Sequence, residues 1–531
     1  MPSNYKPLSF TTTVRNPARF KYFLKVLEKF NGRKLTNDLA KEIEVNLVKE
    51  KIYYPLNSYR QFSHLREKYK STDPLSIQEA WELVNAQNQA GHPERGFEPG
   101  WASRFDTHYM MPKKLGLVYY SPPNILEQEI KITELGNKLL NEAKLENIPD
   151  PQNVNDVSEI EQSIFAHCFT KYQRKNPFTA ELNHNNPLSL LIRVIKLLNE
   201  DPNTLTDAGL SVKEIPIFCI WRNNDEVSLF ETIKNFRESH GLNPSDEIVL
   251  DKVWEINEGR YNSFQNTTTM NQLPDEFIRK MRITGLFTLR GAGRFLDINK
   301  NRSEICEYII KNYSKIQDYE LHNSEDVDKY FNYTSKIDDK FLSTQNFIHQ
   351  NTDDSQINFW ANEFGWEIIK SELKILKNRG DSRNPILRII PGPTRLEFLT
   401  TLAIKLKCNS YIVKPNYIVD DQGLPTSHAP GNGADIECFK DDKITLTEVT
   451  LHTSGHQQSI NEVPKIHRHV LSKREEFPQK EVNAVYISPI MHQDGILVSR
   501  LMSEDRYENV SIYPSNIEQF IEKIETDSVL N

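Results

Sequence analysis

Asp435 and Glu448 are the residues of this sequence whose types and spacing point most directly to chemistry. They belong to two short β-prone runs, Ala434 to Phe439 and Ile444 to Thr450, which flank Asp441-Asp442. A two-residue hairpin loop at that dipeptide pairs residues whose numbers sum to 883, and this sets Asp435 directly opposite Glu448. Cross-strand partners of this kind have Cβ atoms roughly 4.5–5.5 Å apart. Two carboxylates that close repel each other unless a cation lies between them or one holds a proton. A hard divalent ion such as Mg²⁺ uses one or two carboxylates and keeps positions open for water and phosphate. The pair therefore predicts metal-assisted hydrolysis of a phosphodiester. Acids are depleted in strands and opposed like charges cost stability, so a structural reason for the pair is hard to supply. A solvated edge hairpin is the arrangement that would still permit it.

Two further acids flank the pair. Glu397 sits near the start of a helical stretch, Thr394 to Lys407, where Thr394-x-x-Glu397 reads equally well as a capping box. Glu462 falls in the first turns of a helix spanning Gln457 to Glu476, where an acid complements the helix dipole. His428, His452, His467 and His469 lie nearby and read as surface or hydrogen-bonding histidines, not as ligands.

The elements that must carry these residues form an α/β layer from Asn384 onward. Its pattern is a helix (Thr394 to Lys407), strands at Tyr411 to Val419, Ala434 to Phe439 and Ile444 to Thr450, a helix (Gln457 to Glu476) and a strand (Val482 to Ile487). The front of the chain reads differently. Arg19 to Phe30 is an amphipathic helix with Phe20, Phe23, Leu24, Leu27 and Phe30 on one stripe, and Thr36 to Glu50 is a second helix. Strand-like Leu115 to Tyr120, a turn region, and Ile130 to Gly136 opening a helix give the order of a winged helix. Met281 to Phe287 with Arg290-Gly291-Ala292-Gly293-Arg294-Phe295 reads as another wing, glycines at its turn and arginines on its strand ends; an ordinary hairpin with surface arginines reads the same way. Residues 66–114 read as a polar loop or extension, with Trp101, Arg104, Phe105, His108 and Tyr109 as a possible DNA-facing set. Residues 303–376 read as charged helices.

Composition bounds the rest. The chain has 531 residues, 38% hydrophobic and 26% charged, which suits a soluble multidomain protein. It has no apolar run long enough for a transmembrane helix, and Met1 to Lys6 lacks the apolar core of a signal peptide. The five cysteines (168, 219, 306, 408, 438) are scattered without a CxxC pair, against a disulfide framework or structural zinc site and in favour of a reducing cytoplasm. The net charge of −8 opposes nucleic-acid binding by the molecule as a whole. The local distribution differs. Residues 1–35 carry eight Lys/Arg against one acid, and residues 277–302 carry seven against one. Each run alone reads as a solvated face; together they shift the reading toward phosphate contact, with Arg15, Arg19, Arg282, Arg290 and Arg294 as candidates.

Read together, Thr394-Arg395-Leu396-Glu397-Phe398-Leu399, Pro425-Thr426-Ser427-His428-Ala429-Pro430-Gly431-Asn432, Asp435, Glu448-Val449-Thr450 and Glu462-Val463-Pro464 through His467-Arg468-His469 resemble the catalytic domain of the AlwI-type restriction endonucleases. These belong to the PD-(D/E)xK nucleases and include type IIS enzymes and single-strand nicking relatives. The resemblance is strongest over 384–495 and extends more weakly to the front, from Thr11-Thr12-Thr13-Val14-Arg15-Asn16-Pro17. It implies an α+β multidomain protein: winged-helix-like DNA recognition over 1–150, a second recognition region over 151–305 with its wing at 281–298, a helical linker over 306–383, and a PD-(D/E)xK nuclease domain with a mixed central sheet over 384–531. It implies Glu397, Asp435, Glu448 and Glu462 as catalytic acids, with Asp435, Glu448 and Glu397 as metal ligands. Mg²⁺ is the implied cofactor, with Mn²⁺ able to substitute, and water activated by the ion attacks the phosphodiester.

The implied activity is a type IIS-like endonuclease that reads a short asymmetric site in double-stranded DNA and cuts a few bases away. Double-strand cutting would use a transient dimer, and a cognate methyltransferase would be the genetic partner. A strand-specific nickase, a DNA-binding protein with an inert nuclease-like domain, and an RNA or nonspecific repair nuclease are the other readings. One position departs from the superfamily. Thr450 stands where the motif has lysine, and a hydroxyl cannot supply that positive charge; Lys465, or a second metal near Glu462, is the candidate replacement.

Overall fold

The computed structural model of the protein describes residues 5–8, 14, 16–55, 62–70, 75–86, 96–126, 128–143, 157–179, 181–204, 208–258, 268–291, 293–342, 353–420, 423–429, 433–528 and 530. The chain divides into two compact units. One comprises Met1–Leu198, Lys213–Phe287 and Asn301–Phe347; the other comprises Asn199–Val212, Thr288–Lys300 and Ile348–Asn531.

The first unit is mostly helical. Phe20–Glu28 buries Phe20, Phe23, Leu24 and Leu27 completely, the stripe its spacing predicts. Asn37–Lys49 is capped by Thr36, whose hydroxyl accepts from the Leu39 N–H (3.1 Å). Val118–Tyr119 pairs antiparallel with Lys131–Ile132, and Thr133 then caps Glu134–Leu140 through the Gly136 N–H. Gly136 is required there: a Cβ would stand 2.1 Å from the Leu117 carbonyl oxygen.

Two readings of the front half need correction. The region expected as a loop holds the helices Ile77–Ala86 and Trp101–Lys114. Trp101, Phe105, His108 and Tyr109 recur at helical spacing and are buried, so they form core and not a DNA-facing set. His108 Nδ1 donates to the fully buried Glu44 at 2.9 Å. The second correction concerns the wing. Met281 and Arg282 end a helix, Leu273–Arg282, and do not open a strand. Pro274, Asp275 and Glu276 in its first turn and Arg279, Lys280 and Arg282 in its last match the helix dipole. The strands are Phe287–Arg290 and Phe295–Ile298, joined through Gly291 and Gly293 at positive φ, with Leu210–Ser211 completing a three-stranded sheet.

The second unit is built on a mixed five-stranded sheet. Its site-bearing elements are helix α1 (Gly392–Lys407), strands β1 (Ile412–Pro415), β2 (Ile436–Lys440) and β3 (Lys443–Val449), helix α2 (Val463–Glu476), and strands β4 (Glu481–Ser488) and β5 (Ile512–Asn516). The strand order is β5-β4-β3-β2-β1. β2 runs antiparallel to both its neighbours, β1 and β3, while β3, β4 and β5 run parallel. The β2–β3 hairpin turns at Asp441-Asp442, with Asp441 at φ +48°, and its register runs from Lys443 opposite Lys440 to Thr447 opposite Ile436. α2 packs Val463, Ile466 and Val470 into one apolar cluster with Ile444, Leu446, Val482, Ala484 and Tyr486 of the sheet. By strand alternation Glu448, two residues beyond Leu446, shares that face. The stretch expected as one strand from Tyr411 to Val419 breaks after Pro415; Ile418–Val419 pairs instead with Pro425–Ser427. The helix expected over Gln457 to Glu476 opens with a wide π-turn, Gln457–Glu462, before α2.

Candidate active site

The hairpin brings Asp435 and Glu448 together as the register requires, one step beyond its last paired residues. β2 and β3 are interior strands, and the two acids are 8% and 3% exposed, so a solvated edge hairpin does not account for them. Asp435 Oδ2 accepts from the Val449 N–H at 2.8 Å, which pins the carboxylate across the end of β3. Burial drives its proton affinity well above the usual carboxylate range, and the neighbouring charges of Glu448 and Glu397 add to the effect.

Glu397 is not a capping residue. α1 begins at Gly392, two residues before the expected start, so Thr394 lies inside the helix and Glu397 in its second turn. Its Oε2 accepts from the Ala429 N–H at 3.1 Å, and burial pushes its pKa up to about 7, with Glu448 contributing in the same direction. Glu397, Asp435 and Glu448 thus lie within one another's electrostatic field, carried by three different elements.

α2 supplies the counter-charges. Lys465 Nζ is 3.9 Å from Glu448 Oε2, and its charge also reaches Asp435 and Glu397. Lys465 is one of the two replacements expected for the motif lysine missing at Thr450. His469 Nδ1 donates to Glu448 Oε1 at 2.6 Å, with both side chains almost wholly buried. His469 is thus the hydrogen-bonding histidine that its sequence allowed, although its acidic partner was not foreseen. The available signal was periodicity: Glu462, Lys465, His469 and Lys473 fall on one helical face, and Lys473 reaches Glu437 on β2 at 2.8 Å. Glu462 stands apart from the central three. Its Oε1 accepts from the Thr450 hydroxyl at 3.4 Å and lies 3.9 Å from His452 Nε2. Of the other histidines, His428 is exposed and His467 donates to the Tyr507 carbonyl at 3.0 Å.

A cation fits this constellation. Each central acid has one oxygen hydrogen-bonded by the scaffold, Asp435 by Val449, Glu397 by Ala429 and Glu448 by His469, and the second oxygen of each is not held by those bonds. Three mutually repelling acids face one lysine, a deficit of positive charge that a divalent ion would correct. Among the described residues no group of three or more His, Cys, Asp or Glu is placed to hold a metal ion; two carboxylates completed by water and phosphate are the smaller set that a Mg²⁺ ion tolerates.

The arginines proposed for DNA contact have varied fates. Arg15 lies outside the described residues. Arg19 donates to the Ile52 carbonyl and stacks over Phe23. Arg282 is exposed. Arg290 is buried against Asp297 at 2.5 Å, with Asp420 at 3.7 Å, and is withdrawn from any phosphate. Arg294 is exposed as a residue, and its guanidinium donates to the carbonyls of Gly291 and Ile389. The five cysteines are buried and unbridged. Among the described residues no helix is long and apolar enough to cross a membrane.

The family model of the AlwI restriction endonuclease matches residues 113–363 and 361–523, most of the sequence. The chain belongs to the AlwI restriction endonuclease family. AlwI-family membership makes it a nuclease that acts on DNA. A solved structure, the small subunit of a heterodimeric restriction endonuclease, is similar at 20% identity with a TM-score of 0.24, covering 30% of this chain and 76% of that one. No curated protein matches the chain.

Proposed function

We propose that this AlwI-family protein is a type IIS-like endonuclease whose catalytic centre is Glu397, Asp435 and Glu448, with Mg²⁺ held by Asp435 and Glu448 and contacted by Glu397. The observation that carries this reading is the convergence of three buried acids on a single lysine. Bound there, Mg²⁺ would act as a Lewis acid toward the phosphoryl oxygens and lower the pKa of a coordinated water. The chain's own residues do the rest. Asp435 is fixed by the Val449 N–H and Glu448 by His469, so their second oxygens are oriented before substrate arrives. Lys465 places a positive charge beside Glu448, where the negative charge of a phosphodiester in transition would accumulate. Glu462 acts one layer out, through Thr450. Recognition of a short asymmetric site by the first unit, cleavage at a distance and pairing with a methyltransferase complete the proposal.

Asp435→Asn or Glu448→Gln abolishes cleavage of plasmid DNA in Mg²⁺ and leaves binding of the duplex in EDTA at wild-type strength. Full cleavage by either variant would remove the assignment. Intact plasmid with the wild-type protein would favour a DNA-binding protein with an inert domain, and open circles without linear product would make it a nickase.

A further inference from the structure

Outside the catalytic centre, the second unit holds a strongly cationic cavity with no assigned role. It has a volume of about 520 Å³ and is lined by Arg294, Arg379, Arg388 and Arg395, with Asp381 as its one acid. Arg395 is the informative member. It is 4% exposed, yet no carboxylate lies within salt-bridge distance among the described residues. Its guanidinium makes long contacts to the carbonyls of Leu387 (3.3 Å) and Gly380 (3.4 Å), and its Nε has no hydrogen-bond partner. The field of Glu372 and Asp381 reaches it without an ion pair forming. A buried cation left without a counter-ion is costly, and a site that keeps one is prepared for an anion from outside.

The other walls agree. Arg388 is exposed, and Arg379 is exposed and donates to the Thr453 hydroxyl at 2.8 Å. Neither forms an ion pair among the described residues. Gly392, the first residue of α1, lines the same cavity, so the positive end of a sixteen-residue helix opens onto it. Position identifies the anion. Gly392 and Glu397 are five residues apart on α1, about 7.5 Å along the helix axis. The rise of roughly 3.4 Å per nucleotide is measured along the duplex axis, and successive phosphates on the winding strand are further apart than that, so this separation amounts to about one or two nucleotide steps. Leu451, also in the wall, directly follows Thr450, the partner of Glu462.

We propose that this four-arginine cavity seats a backbone phosphate of the cleaved strand, one or two nucleotides from the phosphate on which the acids act, and so sets the register of DNA in the catalytic unit. The proposal rests on the nuclease reading for the identity of its ligand, and it is tested without cleavage. Binding of a fluorescent DNA duplex is measured in EDTA over a range of KCl concentrations for the full chain. The double variant Arg379→Gln, Arg388→Gln changes two exposed residues. It is expected to bind about tenfold more weakly and to reduce the slope of log K against log[KCl] by about 1. Arg383→Gln, an exposed arginine outside the cavity, is expected to leave the slope unchanged. An unchanged slope in the double variant overturns the proposal, as does an equal fall with Arg383→Gln. Calorimetric binding of inorganic phosphate alongside an unchanged DNA slope would assign the cavity to a free anion and also overturn it. A wild type that shows the expected slopes but never cuts DNA would sink the nuclease reading and leave this cavity as a DNA-phosphate site.

Discussion

Glu397 carries a proton more readily than an ordinary carboxyl because it is buried and faces Glu448, and both causes act on the folded state alone. The consequence for stability has a definite sign. Below the usual carboxyl pKa of 4.5 both folded and unfolded chains hold the proton, and nothing is lost. As pH rises from 4.5 through about 7 the unfolded chain releases the proton while the folded one retains it, so stability falls, and above that range the folded state carries an ionised buried acid. The cost is on the order of 3 kcal/mol. In EDTA, Glu397→Gln is therefore expected to unfold at a higher temperature than wild type at pH 8 and at a similar temperature at pH 4. Mg²⁺ should restore the wild type toward the variant at pH 8, because a cation stabilises the ionised acids. Thermal unfolding followed by circular dichroism decides this; a variant less stable than wild type at pH 8 would show that Glu397 is held by contacts its charge does not oppose.

At the level of elements, α2 does two jobs with its two faces. Val463, Ile466 and Val470 fix it to the sheet, and this anchoring aims Lys465 and His469 at Glu448. Ile466→Ala removes a fully buried side chain next to Lys465. It should cost about 2–4 kcal/mol in urea denaturation and slow cleavage well below its own melting temperature, because the helix settles with Lys465 displaced. A stability loss with an unaltered cleavage rate would show that the aim of Lys465 is set elsewhere. The hairpin and the helix differ in how legible they were. The Asp441-Asp442 turn fixes a period-two register, so opposition of Asp435 and Glu448 followed from counting. The roles of Lys465 and His469 did not follow. A charged helix face reads as solvated until the strand beneath it is known, and here that strand presents an acid. The start of α1 was ambiguous for a related reason: Thr394 suits a cap, but Pro391 and Gly392 take over the helix start and release Glu397 for the site. Trp101 to Tyr109 misled for lack of a strong apolar stripe, because the helix buries polar groups such as His108 and Asp106 along with its aromatics.

Across the molecule, two sets of cations behave differently, and net charge conceals it. Four of the eight cations of the basic run at the front of the chain are engaged with acids of the same unit. Lys25 pairs with Glu28, Lys29 with Glu50 and Arg33 with Glu42 at the surface, and Lys21 pairs with Glu161 in the interior at 2.8 Å. Exposed pairs of this kind contribute little to stability. Lys21 differs because both partners are almost fully buried, and Glu161 also closes the capping box of Glu159–Lys171 with Ser158. Local sequence density of lysine and arginine thus marked the architecture of the first unit as much as a DNA surface, whereas the arginines at 379, 388 and 395, unremarkable in number, form no ion pair among the described residues. Lys21→Met tests the distinction. It leaves the Glu161 carboxylate buried without its counter-ion, so the first unit should lose about 3–5 kcal/mol in urea denaturation. The salt slope of DNA binding, measured where the variant is folded, should remain that of wild type. A slope reduced by about 1 with stability intact would reverse the assignment and make Lys21 a phosphate contact after all.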